Sequence, residues 1–406
     1  MVSVRSISLL RPSERRRDTE RTTEGGHGRL STLPSLTGLR WYAALLVFLY
    51  HVSVVQYFGG HSAKLVEAAF DGGDTGVSFF FILSGFVLSW SAPRVVRTVP
   101  FWRKRFARIY PVHLATALLA LLLAFTLAPG TKPDSTQFAA NLTLVQSWVP
   151  QGGFYQGMNP VSWSLSCEAF FYFLFPLLIM VLRRLGPRGN TIVVAACLAL
   201  EFLIPMLAHI LIPSHNLNFL LYYFPLARLP EFVLGMALAQ VVIAGRWRGP
   251  GLRTSLAMTV VGYFLSPCVP TWYGYYTCTA IGITCLLAAA ALADVRGEPT
   301  PWRSRRAVKL GELSFAFYMT HLLVMRTGEY VFRAHPHEDW FFGSLAALAS
   351  FAISFAIAWL LHNRIEKPVR KLILSPPGRR PRLTSDGAQT RVDAPAPQGS
   401  SPAEVP

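Results

Sequence analysis

Runs of about twenty almost wholly apolar residues recur along the chain, separated by short polar or basic stretches. The pattern predicts ten membrane-spanning helices, over residues 36–57, 74–91, 110–129, 165–182, 190–212, 225–244, 254–270, 275–294, 311–332 and 341–363. Each run approaches the roughly 20 residues that a helix needs to cross a hydrocarbon core about 30 Å thick. The fold class expected is all-α, a polytopic bundle of about ten transmembrane helices.

The connections test that count, because loops left in the cytoplasm are enriched in Lys and Arg. Residues 1–35 hold seven, residues 92–109 six, the connections after the fourth, sixth and eighth spans three, three and five, and the tail from Arg364 eight. The intervening connections hold only Lys64, Lys132 and Arg333. One side therefore carries 32 of the 38 basic residues and the other side three, a distribution that fits ten spans with both termini cytoplasmic but not nine or eleven.

Composition agrees with a membrane protein. Apolar residues make up 52% of the 406, charged residues 15%, and mean hydropathy is +0.37, which is too oily for a soluble chain. The net charge of +17 is what orientation in a bilayer requires. No basic face with interleaved aromatics lies outside the loops, so a lipid bilayer and not nucleic acid is the expected partner, with the plasma membrane as the location. Residues 1–33 and 371–406 read as unfolded tails, the first basic, the second rich in Pro, Gly and Ser, flanking a membrane domain over 34–370. No apolar core follows the Arg15–Arg17 run closely enough for an export signal, so no cleaved signal peptide is expected. The five cysteines show no ligand spacing and read as small buried hydrophobes, leaving no expected metal site or disulfide.

Polar residues inside lipid are costly and usually face the protein interior, where they pair or do chemistry. Arg40 and His51 stand eleven positions apart in the first span. At about 100° per residue they share one helix face, roughly 16 Å apart in depth. Arg40 falls near the cytoplasmic surface and His51 past the bilayer midplane. A headgroup-seeking arginine and a histidine satisfied within the bundle account for them equally well. In the fourth span Ser164 and Glu168 stand at i and i+4, on one face. Glu168 enters from the outer side and reaches a depth similar to that of His51, so the two could form a carboxylate–imidazole dyad. Arg228 and Glu231, three apart, read first as a structural ion pair. Glu312 and His321 belong to the ninth span. Arg103, Lys104, Arg105 and Arg108 crowd the mouth of the third span, either as a cytoplasmic anchor or as a site for phosphates, whose geometry suits arginine forks.

Seven stretches in order resemble the acyltransferase-3 family of integral membrane O-acyltransferases. They are LTGLRWYAALLVFLYHV, with Arg40 and His51; DTGVSFFFILSGFVLS, with Gly76 and Ser84–Phe86; RFARIYPVH, with Arg105, Arg108 and Tyr110; NPVSWSLSCEAFFYFLFP, with Trp163, Ser164, Glu168 and Tyr172; RLPEFVLGM; LGELSFAFYMTHLL; and IEKP at 365–368. Cys167 and Ala169 depart from the residue types expected within the fourth stretch. The resemblance covers about residues 34–370 and implies ten spans, an acyl-coenzyme A cosubstrate reached from the cytoplasm, no tightly bound cofactor, and transfer of an acetyl or other short acyl group to a hydroxyl of a sugar, glycan or macrolide. Short outer loops look most like the branch that modifies macrolides and other secondary metabolites. No esterase-like domain follows the tenth span, so functions of such a domain are not expected.

On that resemblance His51 is the general base and Glu168 its orienting acid. Arg40, Arg105, Arg108 and Tyr110 are the acyl-coenzyme A contacts. Trp163, Ser164, Arg228, Glu231 and His321 are candidates for substrate or oxyanion contacts. Direct transfer is favoured over an acyl-serine, since no G-x-S-x-G elbow occurs. A transporter using the same polar seam is the competing reading. A glycan-polymerising or flipping protein would carry a large outer loop, whereas the longest here, residues 130–164, is short and carries little charge.

Overall fold

The computed structural model describes residues 32–332 and 339–375. Among these no strand occurs, and twelve helices of eight residues or more follow one another: α1 Pro34–Val54, α2 Gly60–Phe70, α3 Thr75–Ser91, α4 Thr98–Thr126, α5 Ser135–Leu142, α6 Trp163–Leu211, α7 Pro225–Ile243, α8 Leu252–Leu265, α9 Thr277–Arg296, α10 Arg305–Phe332, α11 Trp340–Leu361 and α12 Lys367–Leu374. Six helical stretches are long and apolar enough to cross a membrane: Gly60–Ser91, Thr98–Thr126, Pro160–Leu211, Ser214–Ile243, Thr271–Arg296 and Trp340–Leu374. The all-α polytopic bundle is thus observed, and every predicted span lies on a helix.

Two elements differ from the hydrophobic pattern. The spans at 165–182 and 190–212 belong to the single α6, which turns sharply at Gly186, where φ is +64° and only glycine is free of strain. Just before the turn, Arg183 donates to the carbonyls of Ala92, Pro93 and Arg94 at 2.8–3.0 Å, so one arginine of α6 pins the loop after α3. The third span starts twelve residues earlier than its apolar run, because α4 carries its basic turns beyond the hydrophobic stretch. Hydropathy marks where lipid ends, not where the helix does. The predicted tails lie almost wholly outside the described residues, although α12 continues past residue 370 to Leu374.

Close helix crossings position the site. Without a hydrophobic driving force between helices in lipid, small residues let backbones approach and gain dispersion contacts. A Cβ on Gly235 of α7 would run into the Ile82 carbonyl of α3, and one on Gly311 of α10 into the Thr37 carbonyl of α1. The second crossing sets α1 and α10 side by side and parallel.

The connection between α4 and α6 folds into the bundle. Asp134 caps α5 through a capping box with Gln137. Further on, Asn141, Gln146, Ser147, Asn159 and Ser162 are buried. Asn159 donates to the Met319 carbonyl of α10 at 2.8 Å, and Gln146 to the Ser162 carbonyl at 3.0 Å. These bonds satisfy backbone groups that would otherwise be stranded in the protein interior, and they fix where α6 begins. The Asn141-Leu142-Thr143 glycosylation pattern is closed, because the Asn141 amide is buried against Ser162 Oγ at 3.1 Å.

Candidate active site

Two cavities meet inside the bundle. The inner one, about 140 Å³, is lined by Arg40 from α1, Arg105 and Arg108 from α4, Ser84 from α3, and Glu168 and Tyr172 from α6, with an apolar wall that includes Phe80, Leu165 and Phe315. The outer one, about 660 Å³, is lined by Tyr50 and His51 from α1, Gln156 and Trp163, Tyr222 and Tyr223 before α7, and Arg326 and Glu329 from α10. Val77 and Tyr318 border both. Tyr318 Oη lies 2.9 Å from Ser164 Oγ, and both hydroxyls reach the Val161 carbonyl at 3.1 Å. The partition between the cavities is therefore one tyrosine, one serine and one valine thick.

The inner cavity collects positive charge. Glu168 accepts from Tyr172 Oη at 3.1 Å, and Ser84 Oγ lies 3.3 Å from the same hydroxyl. Arg108 is committed on one side: its Nη1 is 2.9 Å from Glu366 Oε1, whose other oxygen lies 2.8 Å from His362 Nδ1. Arg105 stacks over Phe101 at 5.7 Å, and its buried Nε has no hydrogen-bond partner among the described residues. Arg103 turns away, its guanidinium donating to the Ile373 and Ser375 carbonyls. The basic cluster therefore divides. Arg103 and Arg108 hold α4 against the α11–α12 corner, while Arg40 and Arg105 face the cavity with donors left for an anionic group.

His51 is paired, though not with Glu168. Its Nδ1 lies 2.8 Å from the Val47 carbonyl and 3.2 Å from Nε2 of His321, which is fully buried. The expected carboxylate–imidazole dyad is corrected by the register of α6 against α10. Ser164 bonds Tyr318, so Glu168, four residues on along a helix antiparallel to α10, lies about 6 Å further toward the arginines. His321 lies one turn, about 4.5 Å, the other way. Glu168 belongs to the inner cavity and His51 to the outer.

The remaining sequence candidates divide as well. Trp163 lines the outer cavity and packs on Tyr222 and Tyr223, with ring centroids 4.8 and 5.1 Å apart. Ser164 sits in the partition. Arg228 and Glu231 line neither cavity. They form a fully buried bidentate pair, at 2.8 and 3.2 Å, joined to Ser78 at 2.9 Å and enclosed by the rings of Phe81, Trp163, Tyr222 and Tyr276. The ion-pair reading of these two is the one observed. Tyr110 stacks on Phe106 at 4.4 Å and borders neither cavity. Sequence reasoning passed over Tyr318, Tyr172, Glu366 and His362 as site residues. Their signal was present in helical spacing: Tyr318 precedes His321 by three, Tyr172 follows Glu168 by four, and His362 precedes Glu366 by four.

The described residues thus form an all-α membrane bundle with an arginine-lined inner cavity, a histidine-bearing outer cavity and a thin polar partition between them. The chain belongs to the acyltransferase-3 family, whose acyltransferase-domain profile matches residues 33–362. It is 37% identical over 361 residues to acyltransferase MdmB of Streptomyces mycarofaciens, covering 85% of this chain and 93% of that protein. It is 28% identical over 250 residues to O-acetyltransferase OatA of Staphylococcus aureus strain NCTC 8325, covering 56% of this chain and 37% of OatA. It is also 26% identical over 331 residues to nodulation protein 10 of Rhizobium leguminosarum bv. viciae, covering 75% and 84%. No solved structure matches. The protein is a membrane-embedded O-acyltransferase enzyme, which sets the transporter reading aside.

Proposed function

We propose that this enzyme transfers an acetyl or other short acyl group from acyl-coenzyme A to a hydroxyl of a carbohydrate or macrolide-type acceptor, in the plasma membrane, with both termini cytoplasmic. The observation that carries this reading is the meeting of the two cavities at Val77 and Tyr318, with free guanidinium donors on one side and His51 on the other.

Arg40 and Arg105 bind the phosphates of the donor, and the pantetheine arm runs along the apolar wall of the inner cavity toward the partition. The acceptor lies among the aromatic side chains of the outer cavity, whose flat faces and hydroxyl groups suit a sugar. His51 takes the proton of the acceptor hydroxyl as its oxygen attacks the thioester carbonyl carbon. The tetrahedral intermediate then expels the coenzyme A thiolate, which takes that proton from the His51 imidazolium and leaves as the thiol, regenerating the base. Ser164, Tyr318 and the Trp163 indole supply hydroxyl and N–H groups beside the developing oxyanion. Glu168, placed among the arginines, acts as a counter-charge that keeps the empty inner cavity from being purely cationic.

The test uses purified enzyme with labelled acetyl-coenzyme A, and longer acyl-coenzyme A donors, against a panel of sugars and macrolides. Label on an acceptor hydroxyl is the expected result. His51→Ala is expected to lose at least about 100-fold in turnover, within the range for removing a general base, while acetyl-coenzyme A still binds. Full turnover in His51→Ala would remove the base from this scheme.

A further inference from the structure

His321 lines neither cavity, yet its ring meets that of His51. We propose that His321 is a positioning residue that locks the proton of His51 onto Nδ1 and so keeps Nε2 free to accept a proton from the acceptor. The proposal rests on the reading of His51 as the base.

Proton locations follow from the partners. A carbonyl oxygen can only accept. His321 Nδ1, 2.7 Å from the Tyr318 carbonyl, therefore carries a proton, and in the neutral ring Nε2 is left with a lone pair. By the same rule His51 Nδ1, 2.8 Å from the Val47 carbonyl, carries a proton, and the His321 lone pair 3.2 Å away shares it. A proton on His321 Nε2 would set two N–H groups against each other, so the pairing is consistent only with this chain of tautomers. His51 Nε2 is then the unprotonated nitrogen. It has no hydrogen-bond partner among the described residues, and the ring borders the outer cavity.

The packing around the pair removes alternatives. His321 stacks on Phe317 at 6.1 Å and 18°, and Phe48 closes on it at 6.2 Å. The His321 ring cannot turn without displacing an aromatic neighbour. A neutral imidazole suits this wall better than a carboxylate, because a charge with no exposed surface would need a cation of its own. When Nε2 takes the acceptor proton, the imidazolium keeps Nδ1–H on two acceptors, so no partner has to move during the step.

The experiment compares His321→Asn, His321→Gln and His51→Ala, singly and with each His321 change placed in the His51→Ala background. Turnover is read as thiol release from acetyl-coenzyme A with the macrolide and sugar panel, and folding is checked by monodisperse elution. Asn keeps a donor for Tyr318 but is too short to reach His51, whereas the Gln carbonyl reaches the position of Nε2. The expected result is a kcat lower by about 10- to 100-fold in His321→Asn, less than the ~10⁴ seen where the orienting group is the main partner of a catalytic His, because the Val47 carbonyl remains. KM for acetyl-coenzyme A should be unchanged, His321→Gln should recover most of kcat, and His321→Asn should cost nothing more in the His51→Ala background. Wild-type kcat in His321→Asn, or equal loss in Asn and Gln, overturns the positioning role. Full activity in His51→Ala overturns the base reading itself. A readout without turnover separates the two: in ¹⁵N-histidine-labelled enzyme, the Nε2 resonance that disappears in His51→Ala should be that of an unprotonated nitrogen. A protonated Nε2 overturns the tautomer lock whatever the activity.

Discussion

Arg105 and Arg108 stand one helical turn apart, yet the structure gives them different duties. Arg105 faces the inner cavity with its Nε unpartnered, while Arg108 holds the buried Glu366. Arg105→Ala should raise KM for acyl-coenzyme A about tenfold, the loss expected from one charge-assisted contact, with little change in melting temperature. Arg108→Ala should instead lower stability by about 2 kcal/mol, because it leaves the buried Glu366 carboxylate with His362 as its remaining partner. Thermal unfolding in detergent beside steady-state kinetics distinguishes them, and equal KM effects with equal stability would contradict the division. Within one helix such residues were legible from spacing alone, as the shared face of Arg40 and His51 was. What spacing could not supply was the partner across helices. The expected match of Glu168 to His51 assumed equal depth, and depth was decided by Ser164 meeting Tyr318, a contact between residues 154 positions apart. His321 was legible as a polar residue in lipid, but its role depends on a ring 270 positions away.

At the scale of elements, the parallel crossing of α1 and α10 brings the two histidines together, and it depends on Gly311 lying against the Thr37 carbonyl. Gly311→Val forces these backbones apart by an ångström or more. The expected outcome is a kcat loss of roughly tenfold or more from displacing groups that must meet at hydrogen-bond distance, together with weaker acetyl-coenzyme A binding, because Arg40 lies one turn from Thr37 on α1. Binding measured by calorimetry checks this, and full kcat in the variant would show that the crossing has slack. Helix existence was the most legible layer of the sequence, since long apolar runs in lipid have few alternatives. Helix ends and the buried connection between α4 and α6 were not, because a segment such as 141–162 is read as a loop by its polarity although the side-chain amide nitrogens of Asn141, Gln146 and Asn159 find partners inside.

For the whole molecule, the proposed orientation rests on the basic loops. Single cysteines placed at Lys132 and at Arg248 in a cysteine-free background should label from opposite sides of intact cells, Lys132→Cys with an impermeant maleimide and Arg248→Cys only after permeabilisation. Labelling of both from outside would overturn cytoplasmic termini. The proposed orientation comes from the count of arginines, whereas the two cavities could not be read from any count, since each is assembled from five or more separate helices and connections.

The thin wall of Val77, Tyr318 and Ser164 has a thermodynamic consequence. In the proposed scheme the nucleotide part of the donor stays on one side of it and the acceptor on the other, so the acyl group alone changes compartments. The reaction is then vectorial. In that scheme cleavage of the thioester drives both the new ester bond and the passage of two or more carbons across the partition, and the charged cofactor itself never has to cross it.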